Sequence, residues 1–211
     1  MNLYLDFTKD NLIGFEVEKH FYVKKINNNK KTSERINELI IKKLNKLNKD
    51  YVDIQKIYIL LGPGSFTGVR TAISFSKSLK LIHKKIEICG ISKFRLIADL
   101  FANKIKKTKC NVFLHNYGSK YFLQKTQNGV FIKNPELIDF DNHEFKFYSS
   151  NDFIYDNMKF LENVPSSQIK NFQEKAIFYS YNFDDFKKIS KKMKKSDEII
   201  RPVYIKDFYT G

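Results

Sequence analysis

The segment with the strongest chemical content is Gly62-Pro63-Gly64-Ser65-Phe66-Thr67-Gly68, which joins the apolar run at residues 56–61 to a helical pattern from about Thr67. A strand, a glycine loop and a helix start, in that order, gather free backbone N–H groups and about half a positive charge at one spot, which suits an anion. Gly62, Gly64, Ser65, Thr67, Gly68 and Arg70 are the residues such an anion would meet. The spacing fits neither common phosphate loop. No Gly-Lys-Ser/Thr closes it, and the glycines at 62, 64 and 68 miss the G-x-G-x-x-G register by one.

Other chemistry is thinly supported. Cys89 and Cys110 are lone cysteines outside any C-x-x-C or zinc-ligand spacing, so they read as ordinary core thiols of a reducing compartment. His20, His83, His115 and His143 are scattered, and no helix face pairs two imidazoles on one ion. No metal site and no catalytic set emerge, since neither a Ser-His-Asp arrangement nor paired carboxylates stand at a defensible spacing.

The elements that position the glycine loop can be read on both sides of it. Leu3 to Leu5, residues 12–18 and residues 21–25 are three short strands with turns at 9–11 and 19–20. A polar loop at 27–31 precedes a helix capped by Thr32 or Ser33, with Glu34 in its first turn. Ile36, Leu39, Ile40, Leu44 and Leu47 give that helix an apolar stripe to about Lys49. Residues 56–61 lack polar alternation beyond Lys56, as in a strand covered on both faces. The helix after the loop, to about Lys84, has two apolar sides: Val69, Ala72, Ile73 and Leu79 on one, Phe75, Leu81 and Ile82 on another. One side belongs in the chain's own core, and the other needs cover from the fold or from another protein.

Residues 86–91 form a further strand, Ser92 caps a helix through Phe101, and the lysine-rich run at 103–109 marks a boundary between a first lobe (1–105) and a smaller second lobe (106–211). Strands at 111–115 and 120–126 follow, and Asn128-Gly129 is a type I′ hairpin signal leading into Val130 to Ile132. Residues 134–180 give no clear pattern. A helix at 184–193 and a strand at 202–205 complete the pattern.

The chain has 211 residues, of which 42% are hydrophobic, enough for a large core. Neither a signal sequence nor an apolar stretch near the roughly 18 residues of a membrane helix is present, so a cytoplasmic location is expected. A formal net charge of +15 suggests nucleic acid or an acidic partner. The competing explanation is compositional drift, because lysine travels with abundant Asn, Ile, Phe and Tyr along the whole chain.

Gly62 through Arg70, G-P-G-S-F-T-G-V-R, resembles the signature of the TsaB (YeaZ) family almost letter for letter. The surroundings agree in order and spacing. Leu5-Asp6-Phe7-Thr8 resembles the family's opening strand ending in Asp-Thr-Ser, and Gly90-Ile91-Ser92 its Gly-Val-Ser. Arg201-Pro202-Val203-Tyr204-Ile205-Lys206 is similar to its Pro-x-Tyr-x-Arg. Phe7 stands where the family has a small hydroxyl residue, and His115-Asn116-Tyr117-Gly118 where it has Asp-Ala-Arg and a polar turn.

The resemblance implies an α/β, actin-like and Hsp70-like two-lobed (ASKHA) fold, with mixed sheets, flanking helices and a reduced second lobe. It implies a non-catalytic, pseudoenzyme subunit that pairs with TsaD and supports transfer of threonylcarbamoyl to N6 of adenosine 37 in tRNAs reading ANN codons. TsaE joins in a larger complex and tRNA is met indirectly. The docking residues it suggests are Ile36, Ile40, Val69, Ala72, Ile73, Ser76 and Leu79. No cofactor is assigned to this chain itself; ATP or ADP with Mg belongs, if anywhere, at the interface of the complex, and a homodimer is an expectation for the free chain. Two other functions stand beside this one: an actin-like phosphotransferase or hydrolase using Asp6, Thr8 and the glycine loop, and a basic tRNA-binding module.

Overall fold

The structure is a computed structural model that describes residues 1–26, 32–102, 109–117, 120–139, 152–155, 176–179, 181–191, 193, 200–203 and 205. The chain forms two compact units, Met1–Lys93 with Phe186–Val203, and Phe94–Asp185 with Tyr204–Gly211. The division falls between residues 93 and 94 where the sequence suggested 105, and residues 186–203 return to the first unit.

In the first unit, β1 (Asn2–Asp6), β2 (Leu12–Val17) and β3 (His20–Lys25) make the expected meander. Asn11 and Glu18, at the two turns, adopt positive φ of 48° and 53°. Then come α1 (Thr32–Lys46), a 3-10 turn (Tyr51–Asp53), β4 (Lys56–Leu60), α2 (Phe66–Ile82) and β5 (Glu87–Ile91). The sheet order is β3-β2-β1-β4-β5. The meander strands pair antiparallel, whereas β4 lies parallel to β1 and β5 parallel to β4.

Alternation along the strands sends side chains to opposite faces. Leu3, Leu5, Ile57, Ile59 and Ile88 share one core cluster with Ile36, Ile40 and Leu44 of α1 and with Val69, Ala72, Ile73 and Leu79 of α2. Tyr4 and Tyr58 point the other way and stack with ring centroids 4.8 Å apart, while Phe21 and Phe186 meet Tyr4 edge-on at 5.4 and 5.9 Å. Phe186 lies on α4 (Phe183–Ser190), so the returning segment covers the face of the sheet that α1 and α2 leave open. The strand at residues 56–61 is thus buried on both faces, as its lack of alternation required.

Glu16 of β2 joins this second face. It accepts hydrogen bonds from Tyr4 Oη at 2.8 Å and Asn2 Nδ2 at 2.9 Å, and pairs with Lys191 Nζ at 2.8 Å. Burial alone would raise its pKa. The hydrogen bonds from Lys191, Asn2 and Tyr4 prevail and hold the carboxyl below its usual range. Burial first, and then the bond to Glu16, push the Tyr4 hydroxyl upward, so it stays a donor.

The second unit takes up α3 (Lys93–Leu100) from residue 94, then β6 (Lys109–Tyr117), β7 (Lys120–Gln127), β8 (Val130–Phe131), β9 (Glu136–Asp139), β10 (Asp152–Tyr155) and β11 (Ala176–Phe178). Asn128 and Gly129 both take positive φ and close the β7–β8 hairpin, as their types predicted. Its sheet runs β11-β10-β6-β7-β8, with β9 also on β7. β6, β7 and β9 pair antiparallel, and β10 and β11 continue parallel to β6. The path β9-β7-β6-β10-β11 therefore repeats the connectivity of β3-β2-β1-β4-β5, a repeat of topology with no repeat of sequence.

Several expectations fall on residues outside the described ones: the loop at 27–31, the boundary run at 103–108, and Tyr204 and Lys206; α1 does begin at Thr32, but the side chains of Thr32, Ser33 and Glu34, expected to cap it, are not described. The strand expected at 202–205 is not formed over the described residues 202, 203 and 205, although the Val203 N–H donates to the Leu61 carbonyl at 2.9 Å. Among the described residues no helix is long and apolar enough to cross a membrane.

Candidate functional site

The glycine loop leaves β4 and turns into α2 beside the end of β1. Gly62 and Gly64 adopt φ of +95° and +155°, and the Gly62–Pro63 peptide is cis. A Cβ on Gly64 would come within 2.5 Å of the Thr8 carbonyl oxygen, and one on Gly68 would overlap the Phe7 carbonyl oxygen. These two glycines are therefore set by the close passage of the loop against the backbone of residues 7 and 8.

Asp6, Thr8 and the loop come together, as the sequence suggested. The Ser65 N–H donates to the Thr8 carbonyl at 2.7 Å, and the Lys93 N–H to the Gly62 carbonyl at 2.7 Å. Ser65 caps α2, its Oγ accepting from the Gly68 N–H at 3.1 Å, while the Val69 N–H reaches the Ser65 carbonyl at 2.9 Å. Asp6 is turned onto its neighbour: Oδ1 accepts from Thr8 Oγ1 at 2.6 Å and from the Thr8 N–H at 3.0 Å. Asp6 and Thr8 are only 3% and 4% exposed. An anion loop works by offering unspent N–H groups. Here the Ser65, Gly68 and Val69 N–H groups are engaged within the protein. Thr67 and Arg70 are exposed on the outer side of α2, and the Arg70 guanidinium lies 4.9 Å from the centre of the Phe66 ring.

Of the docking residues expected from sequence, Ile36 and Leu79 line the groove between α1 and α2, and most of the set also serves the first unit's own core. Ile36, Ile40, Val69, Ala72, Ile73 and Leu79 belong to the unit's own core cluster. Ser76 is fully buried, its hydroxyl donating to the Ala72 carbonyl at 2.8 Å. The reason is phase: the stripe with the best helical periodicity is the one the sheet claims. The second apolar side of α2 is the open one, with Leu81 79% and Ile82 74% exposed. Between α1 and α2 runs an open groove of about 620 Å³, lined from α1 by Ile36 and Asn37 and from α2 by Phe66, Thr67, Arg70, Thr71, Ser74, Phe75, Ser78, Leu79 and Ile82. Phe66 escapes a search for apolar periodicity, whereas Ser74 and Ser78 belong to the small residues of α2 that let another helix approach closely. The out-of-phase apolars Phe75, Leu81 and Ile82 are the signal that finds this face.

Little else among the described residues is equipped for chemistry. No group of three His, Cys, Asp or Glu is placed to hold a metal ion. Cys89 and Cys110 are buried free thiols, and His115 packs edge-on to Tyr121 at 5.0 Å.

Comparison with known proteins places the fold. The model of the family TsaD, tRNA N6-adenosine threonylcarbamoyltransferase, matches residues 26–109, the stretch holding α1, α2, α3 and the glycine loop. No curated protein matches the chain in sequence. Among solved structures, a Pseudomonas aeruginosa protein described as uncharacterized with similarity to peptidase YEAZ superposes with a TM-score of 0.63 at 14% identity, covering 97% of this chain and 98% of its own. YeaZ from Pseudomonas aeruginosa gives 0.58 at 14% identity, covering 90% of each chain. A Bacteroides thetaiotaomicron protein with an actin-like ATPase fold gives 0.50 at 8% identity, covering 90% of this chain and 94% of its own. The chain is TsaD-like over residues 26–109 and has the YeaZ-like, actin-like fold, with two mixed sheets and flanking helices.

Proposed function

We propose that this chain is a non-catalytic, TsaB-like partner subunit of a tRNA threonylcarbamoyl transferase, docking a TsaD-like protein through the groove between α1 and α2. The observation that carries the proposal is the exposed apolar side of α2, lying within the stretch matched by the TsaD family model. An isolated soluble unit gains nothing from leaving Leu81 and Ile82 in water beside an apolar groove, whereas a partner helix laid there removes them from it. Two helices from each partner suffice for a standard interface of about 1,600 Å².

The internal hydrogen bonds of the Ser65, Gly68 and Val69 N–H groups and the inward turn of Asp6 support assigning the chemistry to the partner. In this reading TsaE joins the pair, tRNA is held mainly by the TsaD-like subunit, and any ATP or ADP with Mg belongs to the assembled complex. The test is co-expression with the TsaD homologue of the same cell. A co-eluting pair that restores threonylcarbamoyladenosine in tRNA, where neither protein does so alone, is the expected result; separate elution of two folded proteins overturns the reading.

A further inference from the structure

Two helices deliver lysines to one exposed edge of the first sheet. β3 is the end strand of the order β3-β2-β1-β4-β5, so among the described residues no strand pairs with its outer side. Its side chains alternate between the faces: Tyr22 packs against the core cluster on the side of α1, and Phe21 meets Tyr4 on the other. Each ring carries an ammonium. Lys43, in the last turn of α1, lies 3.9 Å from the centre of the Tyr22 ring, and Lys187, in the last turn of α4, lies 4.1 Å from that of Phe21. Lys24 is exposed two residues beyond Tyr22, and Lys19 is exposed in the turn before the strand. The nearby acids are mostly engaged: Asp10 takes Lys25 at 2.7 Å and Glu16 takes Lys191 at 2.8 Å, while the exposed Glu18 sits at the end of the strip, in the β2–β3 turn. Among the described residues, no ion pair engages Lys19, Lys24, Lys43 or Lys187.

Resting on the tRNA function proposed above, we infer that the β3 edge is a contact surface for the phosphate backbone of the RNA, so that this chain adds its own hold on the tRNA to that of its partner. A free lysine loses rotamer entropy when it settles on a phosphate, and a ring beneath the ammonium has already limited that freedom. Cations offered from both faces of one strand make a ridge of charge, which suits a backbone and leaves the bases unread. Different tRNAs should therefore bind this edge alike. A protein strand laid along the edge is the less suited occupant, because lysines on an edge strand oppose such pairing.

Retention of an unmodified tRNA transcript by the full chain is measured from about 50 to about 500 mM salt, alone and with the TsaD homologue. The triple variant Lys24→Gln, Lys43→Gln, Lys187→Gln is compared with an equal loss of charge elsewhere, Lys80→Gln, Lys84→Gln, Lys85→Gln, three exposed positions at the end of α2 and before β5, the opposite edge strand. Circular dichroism confirms folding, and the pair Lys19→Gln and Lys24→Gln repeats the test without touching either ring. The expected result is retention about tenfold weaker at low salt for the β3 triple, with a salt slope shallower by roughly 0.7–0.9 log units per contact removed. The control triple should bind nearly as wild type does, and Lys43→Arg with Lys187→Arg should keep full retention. Equal losses for the two triples, the mark of diffuse charge, overturn the inference. So does retention unchanged by the β3 triple, or a β3 triple that weakens the complex with the TsaD homologue and not the hold on tRNA. In each of these cases a co-eluting pair leaves the docking reading standing, whereas tRNA held through β3 by a chain that does not pair overturns the docking reading alone.

Discussion

Gly64 combines a φ of +155° with an approach to the Thr8 backbone that leaves no room for a methyl group. Gly64→Ala should therefore cost about 2–4 kcal/mol in urea unfolding, through strain and displacement of the loop. On the partner-subunit reading proposed above, added ATP and Mg should not restore the variant. Glu16 supplies a second prediction. Its carboxyl has a lower pKa folded than unfolded, so its contribution is complete above the unfolded value of 4.5 and disappears as pH falls through the lower folded value. Glu16→Gln should destabilise the protein by about 1 kcal/mol at pH 7. Thermal melts of variant and wild type should converge in the acid range; curves that stay parallel down to pH 3 would contradict this role.

At the scale of elements, the two sides of α2 should respond differently to the same substitution. Ile73→Asp places a carboxylate in the core cluster and should unfold the first unit, a loss beyond about 4 kcal/mol. Leu81→Asp, on a residue 79% exposed, should leave the melting temperature nearly unchanged and weaken the complex with the TsaD homologue by about tenfold or more. Equal effects of the two on stability would remove the distinction between core and docking sides. This difference also marks what was legible in the sequence. The meander, both long helices, the buried strand β4 and the Asn128-Gly129 hairpin follow from local rules, because each is set by periodicity or by turn residues acting within a few positions. The assignment of α2's sides depended on which one the sheet would cover, and periodicity states that two sides exist without ranking them. Strands β9, β10 and β11 are three or four residues long and pair with distant partners, so no local pattern announces them. The closing of Asp6 onto Thr8 was equally invisible, since it depends on how the chain turns after β1.

On the scale of the whole molecule, the same strand path appears twice, and the first unit is completed by a segment from far along the chain. Phe186 is fully buried against Tyr4. Phe186→Ala should cost about 3–5 kcal/mol. Hydrogen exchange should show the loss in β1, whose Tyr4 ring meets Phe186 edge-on although the two are remote in sequence.

The return of residues 186–203 also orders events in time. As the chain emerges from the ribosome, the meander, α1, β4, α2 and β5 are available early, but one face of their sheet lacks Phe186 until nearly all of the residues between have been made. Until then Tyr4 has its contacts with Phe21 and Tyr58 but lacks Phe186, a long-range closure of the kind that slows folding. For the cell, this makes the half-made chain a more demanding client for chaperones than the finished one.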